Sequence, residues 1–281
     1  MTGTVHVHTL SVPTGARQAT LDVTVGRQGD QGRPFLLLHG GGGPQTVTPF
    51  AGLLAGQRPA RVFTPVHPGF AGTARPDWLT DVPALARAYA CLLDELGLTD
   101  VTVVGNSIGG WIAAELALLG SARISGVILV NAVGIEVPGH PVADALSLSP
   151  AELSRLAFHD PAKSAVDLDA LPEAARTAIA ANRAALQAYS GPHAMADPAL
   201  RARLAEIAHP ALVAWGESDR VVDTEYGRAY AAAIPGARFE LLRGTGHMPQ
   251  IETPEQLLPV VWDFADARAR NHGHAADRAS S

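Results

Sequence analysis

A single cysteine, Cys91, stands among 281 residues. No intramolecular disulfide can form, and there is no Cys-x-x-Cys pair to bind zinc or cycle between redox states. Cys91 lies in the apolar run Ala90-Cys91-Leu92-Leu93 and reads as a small buried hydrophobe. Positive charge is also in short supply: 21 Lys plus Arg against 27 Asp plus Glu leave a net charge of −6. Without a basic excess to neutralise a phosphate backbone, nucleic acid is not an expected partner. No apolar run approaches the roughly 18 residues that span a bilayer. The opening residues, Met1-Thr2-Gly3-Thr4-Val5-His6, show no basic stretch followed by an apolar one. The expectation is a cytoplasmic chain that does not engage a membrane. Hydrophobic residues are plentiful at 47%, with only 17% charged, which supports a substantial core and excludes disorder over most of the length.

Short runs rich in Val, Leu and Ile alternate with helix-compatible stretches, the pattern of an α/β protein. Eight strands are predicted, over residues 5–12, 19–25, 35–38, 61–65, 101–104, 126–130, 211–215 and 238–242. The first two alternate polar and apolar residues and predict an antiparallel edge pair turning at Pro13-Thr14-Gly15. The later runs are almost continuously apolar, as strands are when helices cover both faces of a mostly parallel sheet. Helices are predicted over 83–96, 108–119, 224–233 and 254–269. From 134 to 209 no strand pattern appears; Ala-rich helical sequence at 171–189 and 198–207 is punctuated by prolines. So long a connection predicts a helical subdomain inserted into a core formed by 1–133 and 210–270, with 271–281 as a flexible polar tail.

Chemistry concentrates in four places. Gly105-Asn106-Ser107-Ile108-Gly109-Gly110 joins a predicted strand to a predicted helix. A Gly-x-Ser-x-Gly pattern is weak alone, but between strand and helix it predicts a turn so sharp that Ser107 is strained and neighbouring side chains would clash. The bland alternative is an N-cap serine in a tight turn. His39-Gly40-Gly41-Gly42-Gly43-Pro44 spends backbone entropy that a plain connection would avoid. Its amides at Gly41 and Gly42, with that of Ile108, could approach a ligand oxygen closely. A phosphate cradle is the rival reading, although no Gly-Lys-Ser/Thr follows. His39 itself reads as a structural pin for that loop. Asp219 lies just past the strand at 211–215, with Glu217 and Asp223 as competitors, and His247 lies in a Gly-hinged loop after the last strand. His6 and His8 share a strand face but lack a third ligand, which favours surface polarity over a metal site.

With these residues the chain resembles the α/β-hydrolase family, over nearly its whole length. The order Ser107, Asp219, His247 is the order of nucleophile, acid and base in that fold. The resemblance implies Ser107 as nucleophile, His247 as base, Asp219 as the group orienting it, an oxyanion hole from Gly41, Gly42 and Ile108, and a lid at 134–209. It calls for no metal or organic cofactor. The strings around Gly40 and Ser107, and Gly246-His247-Met248-Pro249-Gln250-Ile251-Glu252, are similar to those of the meta-cleavage product hydrolases, which split carbon–carbon bonds; ester hydrolysis stays equally open. A slow-turnover ligand sensor on the same fold, and a perhydrolase or other acyl-transfer enzyme, are the alternatives. The expected partner is a small-molecule substrate, with a homo-oligomer left open. Candidate substrate contacts are Asn106, Phe158, Tyr189, His193, Met195 and Met248, with simple packing as the competing role for the large side chains of the insertion.

Overall fold

The computed structural model describes residues 3–163, 171–191 and 195–279. Eight strands form one sheet: β1 (Thr4–Thr14), β2 (Arg17–Gln28), β3 (Arg33–Leu38), β4 (Ala60–Pro65), β5 (Val101–Asn106), β6 (Ile124–Val130), β7 (Ala211–Gly216) and β8 (Arg238–Leu242). Their spatial order is β1-β2-β4-β3-β5-β6-β7-β8. The β1–β2 and β2–β4 pairs are antiparallel and all the others are parallel. The edge hairpin is longer than its alternating pattern suggested and turns one residue later, at Gly15-Ala16, because Thr14 pairs with Arg17. Chain direction matters for function here. After β3 the chain moves outward to β4, then crosses back to lay β5 on the other side of β3, with Leu38 in register with Gly105. The loops that leave β3 and β5 therefore start side by side, and a crevice at such a switch point is where open α/β sheets bind ligands.

Period-two alternation sends side chains to both faces of the parallel strands. Leu36, Leu38, Val101, Val103, Val127, Leu129 and Val213 meet α2 (Val82–Glu95), α3 (Ile108–Leu118) and α7 (Thr224–Ala233). Phe35, Leu37, Val104, Ile128, Val130 and Leu212 meet α1 (Thr48–Gln57) and α9 (Pro254–Ala279), which follows the short α8 (Pro249–Glu252), on the other face. Asp81 accepts the Ala84 N–H at 2.7 Å and caps α2, whose end is marked by Gly97 at φ +59°. Helix α1 has no counterpart among the expected helices, since two glycines interrupt it. Helix α9 continues to Ala279, past the expected stop at 269, because the supposed tail is rich in helix-forming Ala and Arg. No described helix is long and apolar enough to cross a membrane.

Between β6 and β7 lie α4 (Pro150–Ala157), α5 (Glu173–Ser190) and α6 (Leu200–Arg203). A capping box of Ser149 and Glu152 starts α4. The return of this segment is part of the core: Leu200, Leu204 and Ile207 are buried in the larger cluster, and Gly134 forms a parallel bridge with Ala196. An ionic clasp fixes it, as Arg203 donates to both oxygens of buried Glu115 on α3 at 2.9 and 2.6 Å and to Asp197 at 2.7 Å. Glu115→Ala would leave that guanidinium with Asp197 alone. About a third of the Arg203 side chain remains in water (34%) and screens the pair. The expected loss in urea unfolding is about 1–3 kcal/mol, and an unchanged midpoint would show that the clasp contributes nothing.

Candidate active site

At the end of β5 the backbone of Ser107 adopts φ +57°, ψ −120°, a conformation that L-residues pay to occupy. Its neighbours show why glycine surrounds it. A Cβ on Gly105 would lie 2.1 Å from the Gly109 carbonyl oxygen, and one on Gly109 would lie 2.4 Å from that of Leu38. The turn is anchored by the Ser107 N–H donating to Val130 O (3.0 Å) and by Gly110 and Trp111 N–H groups donating to Ser107 O (2.9 and 3.2 Å). Ser107 is half-buried, while Trp111 is buried in the core behind it. The hydroxyl makes no N-cap bond to α3, so the plain capping role does not apply.

The glycine loop lies directly against this turn, with the position of a Gly40 Cβ 3.2 Å from Ser107 Cβ. Neither Gly41 N–H nor Gly42 N–H donates to a described residue, and Ile108 opens α3, where the first amides have no intrahelical acceptor. Below the loop, His39 and His67 stack at 3.7 Å, both fully buried. Their bonds specify the tautomers. His39 Nδ1–H donates to Gly40 O (2.8 Å), and its Nε2 accepts the His67 N–H (3.1 Å). His67 Nε2–H donates to His39 O (2.8 Å), and its Nδ1 accepts from Tyr89 (2.5 Å). His39 is therefore a pin for the loop, as expected; its partner His67 was invisible in the sequence because it lies 28 residues away on another connection.

Of the three candidate carboxylates only Asp219 reaches His247, with Nδ1–H donating to Oδ2 at 2.7 Å. Glu217 instead pairs with Arg243, while Asp223 caps α7 through Tyr226 N–H (2.9 Å) and pairs with His140. Asp219 also accepts from Val221 N–H (2.8 Å) and Val222 N–H (3.1 Å) at Oδ1, and from Asn131 Nδ2 (2.7 Å) at Oδ2. Asn131 was missed by the sequence reading, although it follows β6 at the same sheet end, where functional side chains gather. Both Asp219 and His247 are buried. No hydrogen bond joins Ser107 Oγ to His247 among the described residues; the two loops meet instead through Asn106, whose Nδ2 donates to His247 O at 2.9 Å.

Several expected substrate contacts have other tasks. The Asn106 amide is consumed by Val130 O, His247 O and Gln250 Nε2, so it braces the His247 loop from below and does not face a ligand. Tyr189 is buried, donates to Pro68 O (3.0 Å) and stacks with Phe70, which corrects its expected place in a pocket. Met195 is buried in the main core, and Phe158 packs with Val221 and half-buried Met248. His193 lies outside the described residues. Leu186 on α5, not singled out from the sequence, would touch a Gly41 Cβ at 2.8 Å and is an apolar wall for the glycine loop. Among the described residues no group of three His, Cys, Asp or Glu side chains could hold a metal ion, and this includes His6 and His8.

A model of the alpha/beta hydrolase family matches residues 35–260. An uncharacterized protein of Mycobacterium tuberculosis is 29% identical over 265 residues, covering 84% of this chain and 76% of that protein. The 2-hydroxymuconate semialdehyde hydrolase of Pseudomonas putida is 27% identical over 245 residues, 83% of this chain and 87% of its own. Among solved structures, an esterase from Thermogutta terrifontis superposes with a TM-score of 0.72 at 21% identity, covering 94% of this chain and 99% of that one, a likeness of fold.

Burial beneath the glycine loop makes stability depend on pH. Desolvation lowers His39 from 6.5 to about 4, only partly opposed by its bond to Gly40 O, and it lowers His67 as well. Between those values the unfolded chain binds a proton that the native His39 refuses, so stability falls as pH drops from 6.5 towards 4. The expected decline in unfolding free energy is about 3 kcal/mol from His39 alone, with His67 adding in the same direction. Urea midpoints that stay level across this interval would contradict the neutral, stacked pair.

Proposed function

The chain belongs to the alpha/beta hydrolase family, and on that premise we propose that it is a serine hydrolase of small esters in which Ser107, His247 and Asp219 act together. The observation that carries this reading is the strained Ser107 turn at the β3/β5 switch point, beside a histidine already bonded to a buried carboxylate. A serine hydroxyl is a weak nucleophile at neutral pH, and His247 Nε2 accepts its proton as Oγ attacks the substrate carbonyl. Asp219 keeps Nδ1 protonated, which leaves Nε2 as the basic nitrogen, and it stabilises the imidazolium that forms. The oxyanion that develops takes hydrogen bonds from Ile108 N–H and from Gly41 or Gly42 N–H, each worth about 3–4 kcal/mol in the transition state. Collapse of the intermediate expels the alcohol, which takes the proton from His247. Water deprotonated by the same base then releases the acid. Segment 134–209 acts as the lid, and the apolar side chains of Leu186 and Met248 suit an apolar acyl group.

A second reading, cleavage of a carbon–carbon bond beside a ketone, is favoured by the similarity to the 2-hydroxymuconate semialdehyde hydrolase. A panel of p-nitrophenyl esters of increasing acyl length, run beside a meta-cleavage dienoate, separates the two chemistries. For either one, Ser107→Ala is expected to lower kcat at least about a thousandfold with an unchanged circular dichroism spectrum. A well-folded variant that keeps its turnover would overturn the assignment.

A further inference from the structure

Four residues along α5 pack at helical spacing against the loops beside the site: Asn182, Ala185, Leu186 and Tyr189. Each meets a loop that follows a parallel strand. Leu186 covers Gly41; Ala185 lies 3.1 Å from where a Gly69 Cβ would be, and Gly69 has φ +92°. Tyr189 donates to Pro68 O. Asn182 is the polar member of this stripe and is only 3% exposed. Its Nδ2 donates to Gly42 O at 2.8 Å, and its Oδ1 accepts the Ala71 N–H at 2.7 Å. One carboxamide thus bridges the loop after β3 to the loop after β4.

We propose that Asn182 is a positioning residue for the oxyanion hole, a splint from the inserted helix that fixes the orientation of the Gly41–Gly42 amides through the Gly42 carbonyl. This rests on the serine-hydrolase reading of the site. The physical need for it is plain. Four consecutive glycines have little conformational preference of their own, whereas oxyanion donors stabilise a transition state only if they are already aimed. Fixing Gly42 O, which Gln45 Nε2 also reaches, fixes the peptide plane beyond Gly42 and limits the rotations through which the preceding amides would turn away. Within the loop Gly43 N–H closes onto Gly40 O at 3.1 Å, and Gly43 at φ +96° leaves no room for a Cβ, which would lie 2.3 Å from Asn182 Nδ2. The loop and the asparagine are thus shaped to each other. The consequence is mechanistic: displacement of α5 would disarm the oxyanion hole as well as expose the site, so lid position and catalytic power are linked.

Two variants and three readouts test this in the full chain. Asn182→Ala removes both bonds; Asn182→Asp keeps the size and the acceptor for Ala71 N–H, loses the donor to Gly42 O and sets a buried carboxylate oxygen against that carbonyl. Hydrogen exchange at the Gly43 amide is expected to accelerate about tenfold or more in both. On p-nitrophenyl butyrate kcat is expected to fall about tenfold or more while KM stays within about twofold. The inhibition constant of a trifluoromethyl ketone, which forms an oxyanion adduct on serine, is expected to rise by the same factor as kcat/KM falls. A raised KM with unchanged kcat would make Asn182 a substrate contact and overturn the proposal, as would unaltered Gly43 exchange. If the unsubstituted chain showed neither turnover nor ketone inhibition, the hydrolase reading would fall and the oxyanion role with it. The Gly43 exchange would still decide whether Asn182 holds the loop.

Discussion

One backbone conformation organises this molecule: the positive φ of Ser107 at the end of β5. It is unfavourable by itself and survives only because the surroundings leave no alternative. Gly105 and Gly109 are threaded so closely past one another, and past Leu38, that no side chain fits at either position. A bond from Ser107 N–H to Val130 O and bonds from the Gly110 and Trp111 N–H groups to Ser107 O close the turn. The wide burial of β3, β5 and β6 on both faces supplies the rigidity against which this strain is held. A softer sheet edge would relax it.

The inserted segment is not a cover laid over a finished site. The carbonyl of Ala157, at the end of α4, accepts the His247 N–H, and Arg220, next to Asp219, donates its N–H to Leu156 O at 3.0 Å. Glu252 accepts from Gly246 N–H (2.6 Å) with one oxygen and from Asp160 N–H (3.0 Å) with the other. The loops that carry Asp219, His247 and the glycines 40–43 are each tied to α4, α5 or their flanks. The bonds to Ala157 O and Leu156 O are main-chain bonds and insensitive to side-chain identity, whereas the tie to the glycine loop depends on the Asn182 side chain.

How much of this could be read from the sequence follows from the range of the interactions. The eight strands and the Ser107 turn are local: apolar runs and glycine spacing encode them directly. Asp219 was legible as one of three candidate carboxylates past β7, and only its bond to His247, which coexists with its turn-forming bonds to Val221 and Val222, separates it from Glu217 and Asp223. Asn131, His67, Asn182 and Glu252 were not legible in these roles. Each is an ordinary polar residue whose role is set by a partner 28 to 140 positions away or by a backbone atom that no pattern marks. The same limit explains the large side chains of the insertion. Size suggested that Tyr189 lined a pocket, but its distance from Phe70 and Pro68 in sequence concealed that it packs behind the glycine loop.

The central claim is that the strained serine is the reacting atom's carrier. The most direct measurement is to treat the folded chain with a fluorophosphonate and map the adduct by peptide mass spectrometry. A single adduct is predicted, on Ser107, and it should fail to form when the chain is unfolded in urea, because reactivity comes from the assembled His247 and Asp219 and not from the hydroxyl itself. An adduct on another residue, or none on a correctly folded chain, would contradict the account.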